Sequence, residues 1–258
     1  MTGDDGGTGG SVLRALRVIE AVAAAGDGVT AKAIARRLGC PLPTAYRALG
    51  TLVEEGYLVR LHAVRGYGLG YRVAELHRSL TAQVRPSAAV RAVLADLHSG
   101  VGAAAYLAVL RDVDVVVAEI DRCADHPGAV DLRVGEPAPA HATALGKAVL
   151  AGLAPAALAD VLGQRGLVPL TPRTVADRRA LDRELLRVRT AGAAVEVEEF
   201  HRGVAGIAVA VRGPGGVPAG AIGVSITRAE FGARRWELEH AVREAADRAG
   251  RAGTAIAT

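Results

Sequence analysis

Thiols are scarce in this 258-residue chain: Cys40 and Cys123 are the only two, and they fall in what read as different domains. A structural disulfide is therefore not expected, and a reducing cytoplasm is the natural location. No apolar run approaches the ~20 residues needed to cross a bilayer, so no membrane partner is expected. The segment Met1 to Gly10 has neither the basic start nor the apolar core of a signal peptide. Rich in glycine and carrying two aspartates, it reads as a disordered tail, and residues 251–258 read as a second flexible one. Lysine is also rare, with Lys32 and Lys147 the only two among 31 basic residues. That arginine bias is a compositional mark of a GC-rich bacterial genome and carries no mechanism. The chain as a whole is 50% hydrophobic and 22% charged, and its length is enough for one large or two modest globular domains.

The most informative stretch runs from Thr30 to Tyr57. Thr30 suits a helix N-cap, and Ala31, Ile34, Ala35 and Leu38 then recur at helical spacing, leaving Lys32, Arg36 and Arg37 towards water. Gly39 ends this helix, and Pro41 and Pro43 place the start of the next one near Pro43. Its buried stripe is Ala45, Ala48, Leu49, Leu52 and Val53, which turns Thr44, Tyr46, Arg47 and Thr51 outward. Gly56 stops it. Tyr57 to Arg60 and Tyr67 to Leu69 then read as two short strands of a wing, with Arg65 near its tip. Ahead of all this, Ser11 opens a supporting helix with Val12, Leu13, Leu16, Ile19, Val22 and Ala23 as its apolar face and Arg14 and Arg17 opposite.

This pattern is a winged helix-turn-helix over residues 11–70, with double-stranded DNA as its partner and Arg14, Thr44, Tyr46, Arg47 and Arg65 as contact residues. Two amphipathic helices around a glycine turn also occur in proteins that never touch nucleic acid. Charge favours DNA: residues 11–72 carry nine basic residues against four acidic ones, a net of +5, whereas the remainder is nearly balanced. Residues 71–86 read as a linker helix, whose narrow stripe of Val73, Leu76 and Leu80 suits either a partner helix or an ordinary surface.

From residue 87 the pattern changes to strands interleaved with helices. A helix from Ser87 leads to a hairpin of Ala104 to Leu110 and Val115 to Ile120, then a strand over Val130 to Val134. Helices follow over Thr143 to Leu153, Ala154 to Leu162 and Asp177 to Thr190, the last stopped by Gly192. Strands return at Ala194 to Glu196, Ile207 to Val211 and Ala219 to Ile226, and a helix over Glu237 to Ala249 closes an α+β domain spanning residues 87–250.

No catalytic constellation emerges. Glu196, Glu198, Glu199 and His201 could be imagined as a hydrolytic or metal site, with Glu196 and Glu198 on one strand face and the other two in a loop. Cys123-x-x-His126 lacks a second pair of metal-ligand spacing, and the seven histidines form no triad with a serine. Neither a catalytic residue, a metal nor a cofactor is expected.

Three strings in order, HATALGKAVLAGL from His141, TPRTVADRRALDRELLRVRT from Thr171 and GAAVEVEEFHRGVAGIAVAV from Gly192, resemble the IclR family of bacterial transcription regulators. The similarity covers Ser11 to about Ala249. It implies a GAF-like effector-binding domain after the linker helix, assembly as a dimer or dimer of dimers, and a repressor answering to a small metabolite. Carried over by position, the effector-binding residues are Gly135, Ala144, Leu145, Gly146, Glu196, Gly206, Gly223 and Ser225. This chain departs from the family at several of the matched positions. Leu42 and Pro43 replace lysine and serine ahead of the recognition helix, and Gly68 removes a basic side chain after the wing. Glu196 stands for the usual aspartate, Gly206 for cysteine, serine or alanine, and Ala210 for proline. Glu196 would either meet a ligand or face solvent from its strand, and Lys147 would either present its ammonium near the effector or cover a helix face. The open alternative is a metabolite-binding or enzymatic domain whose N-terminal helices dock protein.

Overall fold

The structure, a computed structural model, describes residues 7–126, 128, 132–213 and 216–252. It divides into two compact units between Ser79 and Leu80.

In the first unit, α1 (Gly7–Ala25), α2 (Ala31–Leu38) and α3 (Leu42–Glu54) are followed by β1 (Leu58–Leu61), a 3-10 turn (His62–Val64) and β2 (Gly66–Leu69). Thr30 caps α2 by accepting from the Ala33 amide at 3.2 Å, and Gly39 closes it in the left-handed conformation. Val18, Val22, Ile34, Ala45, Leu49, Leu52, Leu58 and Tyr67 make the core of this unit. Cutting the fully buried Leu49 back to alanine would cost roughly 2–5 kcal/mol, the usual range for a buried leucine.

Two expectations need correction here. The first helix starts at Gly7, so residues 7–10 belong to it rather than to a tail; residues 1–6 and 253–258 lie outside the described ones. Its buried face is Val18, Ala21 and Val22, while Val12, Leu13, Leu16 and Ala23 are exposed. The cause is geometric. The buried residues of α1 all fall in its C-terminal half, so the helical stripe continues past the core it was read to cover.

Helix α4 (Tyr71–Val84) leaves the first unit and ends in the second. Leu76 is 58% exposed, whereas Val73 and Leu80 are half-buried and Leu80 packs against the core of the second unit.

The second unit contains α5 (Ala88–Val101), β3 (Ala104–Arg111), β4 (Asp114–Asp121), α6 (Ala144–Gly152), α7 (Pro155–Arg165), α8 (Arg178–Ala191), β5 (Ala194–Val197), β6 (Val204–Arg212), β7 (Pro218–Thr227) and α9 (Arg228–Arg251). The five strands form one antiparallel sheet in the order β4-β3-β7-β6-β5. Strand alternation sends Leu107, Val109, Ile207, Ile222 and Val224 to the face covered by α5 and α9. Tyr106, Ala108, Ala194, Ala208 and Ala221 go to the opposite face, under α6 and α8.

The expected strand over Val130 to Val134 is not formed where it can be seen. Residues 130 and 131 lie outside the described ones, and Leu132 and Arg133 are irregular. The pairing comes later: Gly135 and Ala138 donate to Val117 and Val115, and Glu136 accepts from Val117, so this loop runs along the edge of β4. Helix α9 also starts nine residues earlier than expected, because Thr227 and Glu230 make a reciprocal capping box.

Candidate functional site

The sheet register builds a cup on the α6 face. Ala104, Ser225, Gly206 and Glu196 pair in one line across β3, β7, β6 and β5, and Tyr106, Gly223, Ala208 and Ala194 make the next line on the same face. Small residues therefore form a floor, with Tyr106, Ser225 and Glu196 standing around it. Thr143, Ala144 and Leu145 at the start of α6 form the roof, and Leu132 and Phe200 add apolar wall. The cavity is about 30 Å³, room for water but for nothing with several carbons.

Two of its polar groups have no partner among the described residues. Tyr106 OH and Ser225 Oγ are both buried without a hydrogen bond among the described residues, each a cost of about 1–3 kcal/mol that a matching ligand group would relieve. Burial raises the Tyr106 pKa, although Arg122 opposes it. Glu196 is 4% exposed, and burial pushes its pKa up to about 7 even though Oε2 accepts from the Glu199 amide at 3.1 Å. It faces the cup, and the solvent-facing alternative is excluded.

Behind Glu196, Lys147 is completely buried. Its Nζ donates to the Val195 carbonyl at 2.6 Å, to Glu199 Oε1 at 2.7 Å and to Glu184 Oε1 at 3.4 Å, using all three ammonium hydrogens. It is not among the residues lining the cup, nor does it cover a helix face: it is the internal counter-ion of two carboxylates. Burial raises the Glu199 pKa against the pull of Lys147, and Glu199 Oε2 has no partner among the described residues.

The expectation that Glu196 and Glu198 share a strand face fails. Glu198 lies beyond β5 at φ 59°, in the left-handed region, which breaks the alternation and turns its side chain outward to Arg173 and Arg228. The Gly203 amide, then the arginines, hold its pKa below the usual carboxylate range. This bend is fixed from outside, since Thr171 and Thr174 donate to the Glu198 and Glu199 carbonyls, each at 2.6 Å. Cys123 Sγ and His126 Nδ1 lie 3.6 Å apart, but no group of three or more metal-capable residues occurs among the described ones.

Of the carried-over effector positions, Ala144, Leu145, Glu196, Gly206, Gly223 and Ser225 line the cup, and Gly135 and Gly146 do not. Gly135 serves a turn at φ 87°. Gly146 lets α6 sit on the preceding loop, since a Cβ there would stand 2.2 Å from Ala140 Cα. Tyr106, Thr143 and Phe200 escaped sequence reasoning, for their roles depend on which strands become neighbours.

In the first unit the expected contact residues separate into two concavities beside α3. Arg14, Thr44, Arg47 and Thr51 line one. Tyr46, half exposed, lines the other with Arg65, Lys32, Arg60 and His62, the last three unforeseen as contacts. Arg65 takes a left-handed conformation at the tip between β1 and β2. Arg60 donates to Tyr67 OH at 3.1 Å, which raises its pKa further. Both concavities present guanidinium groups beside hydroxyls, the chemistry that phosphate oxygens and base edges require.

Comparison with known proteins assigns both regions to one family. Residues 11–62 match the family model of the IclR helix-turn-helix domain, and residues 81–251 match that of the bacterial transcriptional regulator IclR C-terminal domain. The glycerol operon regulatory protein of Streptomyces griseus is 35% identical over 217 residues, 83% of this chain and 84% of that protein. Among solved structures, a transcriptional regulator from Rhodococcus sp. RHA1 superposes with a TM-score of 0.73 at 27% identity, covering 93% of this chain and 96% of that one. An IclR homolog from Microbacterium hydrocarbonoxydans, complexed with 4-hydroxybenzoate, has a TM-score of 0.67 at 26% identity over 94% of this chain and all of its own.

Proposed function

The chain belongs to the IclR family of bacterial transcriptional regulators, and from that premise we propose that it is a cytoplasmic, operator-binding repressor controlled by a small molecule held in the sheet cup. The observation that carries the effector half is the set of unpartnered polar groups around a floor of small residues: Tyr106 OH and Ser225 Oγ with Glu196 beside them. The 4-hydroxybenzoate bound to the Microbacterium homolog supports a small organic molecule as the class of effector. A second carboxylate is a poor partner for Glu196 unless one of the two is protonated, so the preferred ligand here carries a hydroxyl, amide or amine and is larger than a two-carbon acid. Admitting it requires the lining to move, given a present cavity of about 30 Å³.

The DNA half rests on the cationic groups on either side of α3. One such module covers a half-site, which favours a dimer, and the exposed Val12, Leu13, Leu16 and Leu76 offer apolar surface for a second copy. Leu76→Lys is the cleaner probe of assembly, because Leu80 also packs inside its own chain. Sedimentation showing wild type monomeric at micromolar concentration would remove the dimer.

The deciding experiment is a titration of the operator complex with candidate metabolites chosen from the genes beside the bound promoter. Glu196→Gln should alter the effector response while ligand-free DNA affinity stays nearly intact. An identical response of wild type and variant to the true effector would falsify the cup assignment.

A further inference from the structure

The loop that leads into α6 walls a second cavity, distinct from the cup. Pro137 to His141 face it, whereas Thr143 to Leu145 face the cup. At about 290 Å³ it is nearly ten times larger, and its walls include Val113, Val115, Ala138, Val161 and Leu162. That approaches the lower end of the size range of small-molecule pockets.

His141 lines this cavity and is 5% exposed. Its Nε2 lies 2.9 Å from the Val168 carbonyl oxygen. A carbonyl only accepts, so Nε2 carries the hydrogen, and in the neutral ring Nδ1 is left as the acceptor. At the rim, Arg165 and Asp114 neutralise each other. Two large apolar side chains of the lining, Val168 and Leu170, are 56% and 42% exposed.

Apolar walls, one imidazole acceptor and a charge-balanced rim select strongly. A carboxylate would find no unpaired cation, and an ammonium no unpaired anion. We propose that this cavity is a second small-molecule site that takes a neutral phenol-like or alcohol ligand, whose hydroxyl donates to His141 Nδ1. The assignment is independent of what the cup binds.

The test uses the full-length protein and two fluorinated probes, 4-fluorophenol and 4-fluorotoluene, titrated by fluorine NMR. They differ in one hydroxyl. Saturable binding is expected for 4-fluorophenol, tighter than 4-fluorotoluene by about tenfold, the worth of one buried hydrogen bond. Leu170→Trp, at an exposed position, should fill the mouth and weaken 4-fluorophenol by about tenfold or more. Glu196→Gln, in the cup, should leave it unchanged. His141→Phe should reduce 4-fluorophenol to the affinity of 4-fluorotoluene, but its loss of the Val168 bond could disturb folding, which is why the test does not rest on it. Absence of saturable binding at millimolar probe would overturn the site. So would binding that Glu196→Gln weakens and Leu170→Trp spares, and equal affinity for the two probes would overturn the role of His141.

Discussion

The two lysines of the chain occupy opposite environments. Lys32 is exposed on α2 beside Tyr46, Arg60 and Arg65, with no partner among the described residues, and Lys147 is completely buried with every ammonium hydrogen engaged. A cation that meets a partner from outside must remain unsatisfied in the free protein. A cation that holds an interior together must be satisfied before anything binds. Charge of one kind thus stays open to solvent in the first unit and is locked into architecture at Lys147 in the second, where the buried side-chain atoms without a partner among the described residues are the Tyr106 and Ser225 hydroxyls, Glu199 Oε2 and Arg91 Nε.

The largest effect that would sharpen this contrast is removal of the buried cation. Lys147→Met should destabilise the effector unit by about 3–5 kcal/mol, because Glu184 and Glu199 lose their shared partner while Glu199 stays buried. Urea titration of the full chain reads it, and a cost below 1 kcal/mol would place Lys147 among replaceable packing groups.

Next is Glu196. Its folded pKa of about 7 lies above its ordinary 4.5, so the folded state binds the proton more tightly. Its contribution is fully present below pH 4.5 and is lost as pH rises through 7. Glu196→Gln should therefore gain stability over wild type at pH 8, by up to about 3 kcal/mol, and change little at pH 4.5. Thermal melts at both pH values check this. A constant difference would mean the carboxyl titrates normally.

On the recognition side, Arg47→Ala should weaken operator binding by about 1–3 kcal/mol with relaxed sequence preference if it reads a base, and equally for all sequences if it holds phosphate. Fluorescence anisotropy with matched and scrambled operators separates these outcomes, and unchanged affinity removes Arg47 from the interface. The smallest effect belongs to Lys32→Ala. Folding stability should stay within about 0.5 kcal/mol, and the salt slope of DNA binding should fall by about one. A stability loss as large as that of Lys147→Met would collapse the distinction between the two lysines.

Most of the first unit was legible because its signals are local. Thr30 and Gly39 mark the ends of α2 within one turn of the residues they cap, and the stripe at Ala45, Leu49 and Leu52 reads directly as the buried side of α3. What α1 faces was not legible, since helical periodicity tells which residues share a side but not how far the neighbouring helices extend. In the second unit the helices and most strands were visible, as was the position of Glu196, although through resemblance to a family rather than through its own chemistry. Lys147 illustrates the limit: its acceptors come from residues 37 to 52 positions away, on α8 and around β5. The capping box of Thr227 and Glu230 is a local mark three residues apart, whereas the left-handed Glu198 carries none, because any glutamate in a strand-like run reads as alternating.

The two glycines of the cup floor carry different evolutionary freedom. A Cβ at Gly223 would stand 2.5 Å from the Ile207 carbonyl oxygen and 2.7 Å from Ala208 Cβ, so the sheet itself forbids a side chain there whatever the ligand. A Cβ at Gly206 would meet Val224 O at 3.2 Å, Glu196 Oε1 at 3.5 Å and Ala144 Cβ at 3.7 Å, a tight fit that asks for a few tenths of an ångström. Under the proposed cup assignment, variants with a changed ligand should therefore keep Gly223 and diversify at Gly206 and at the roof. A library randomised at Gly206, Thr143 and Leu145 would search ligand space without spending variants on a position where the backbone has already chosen.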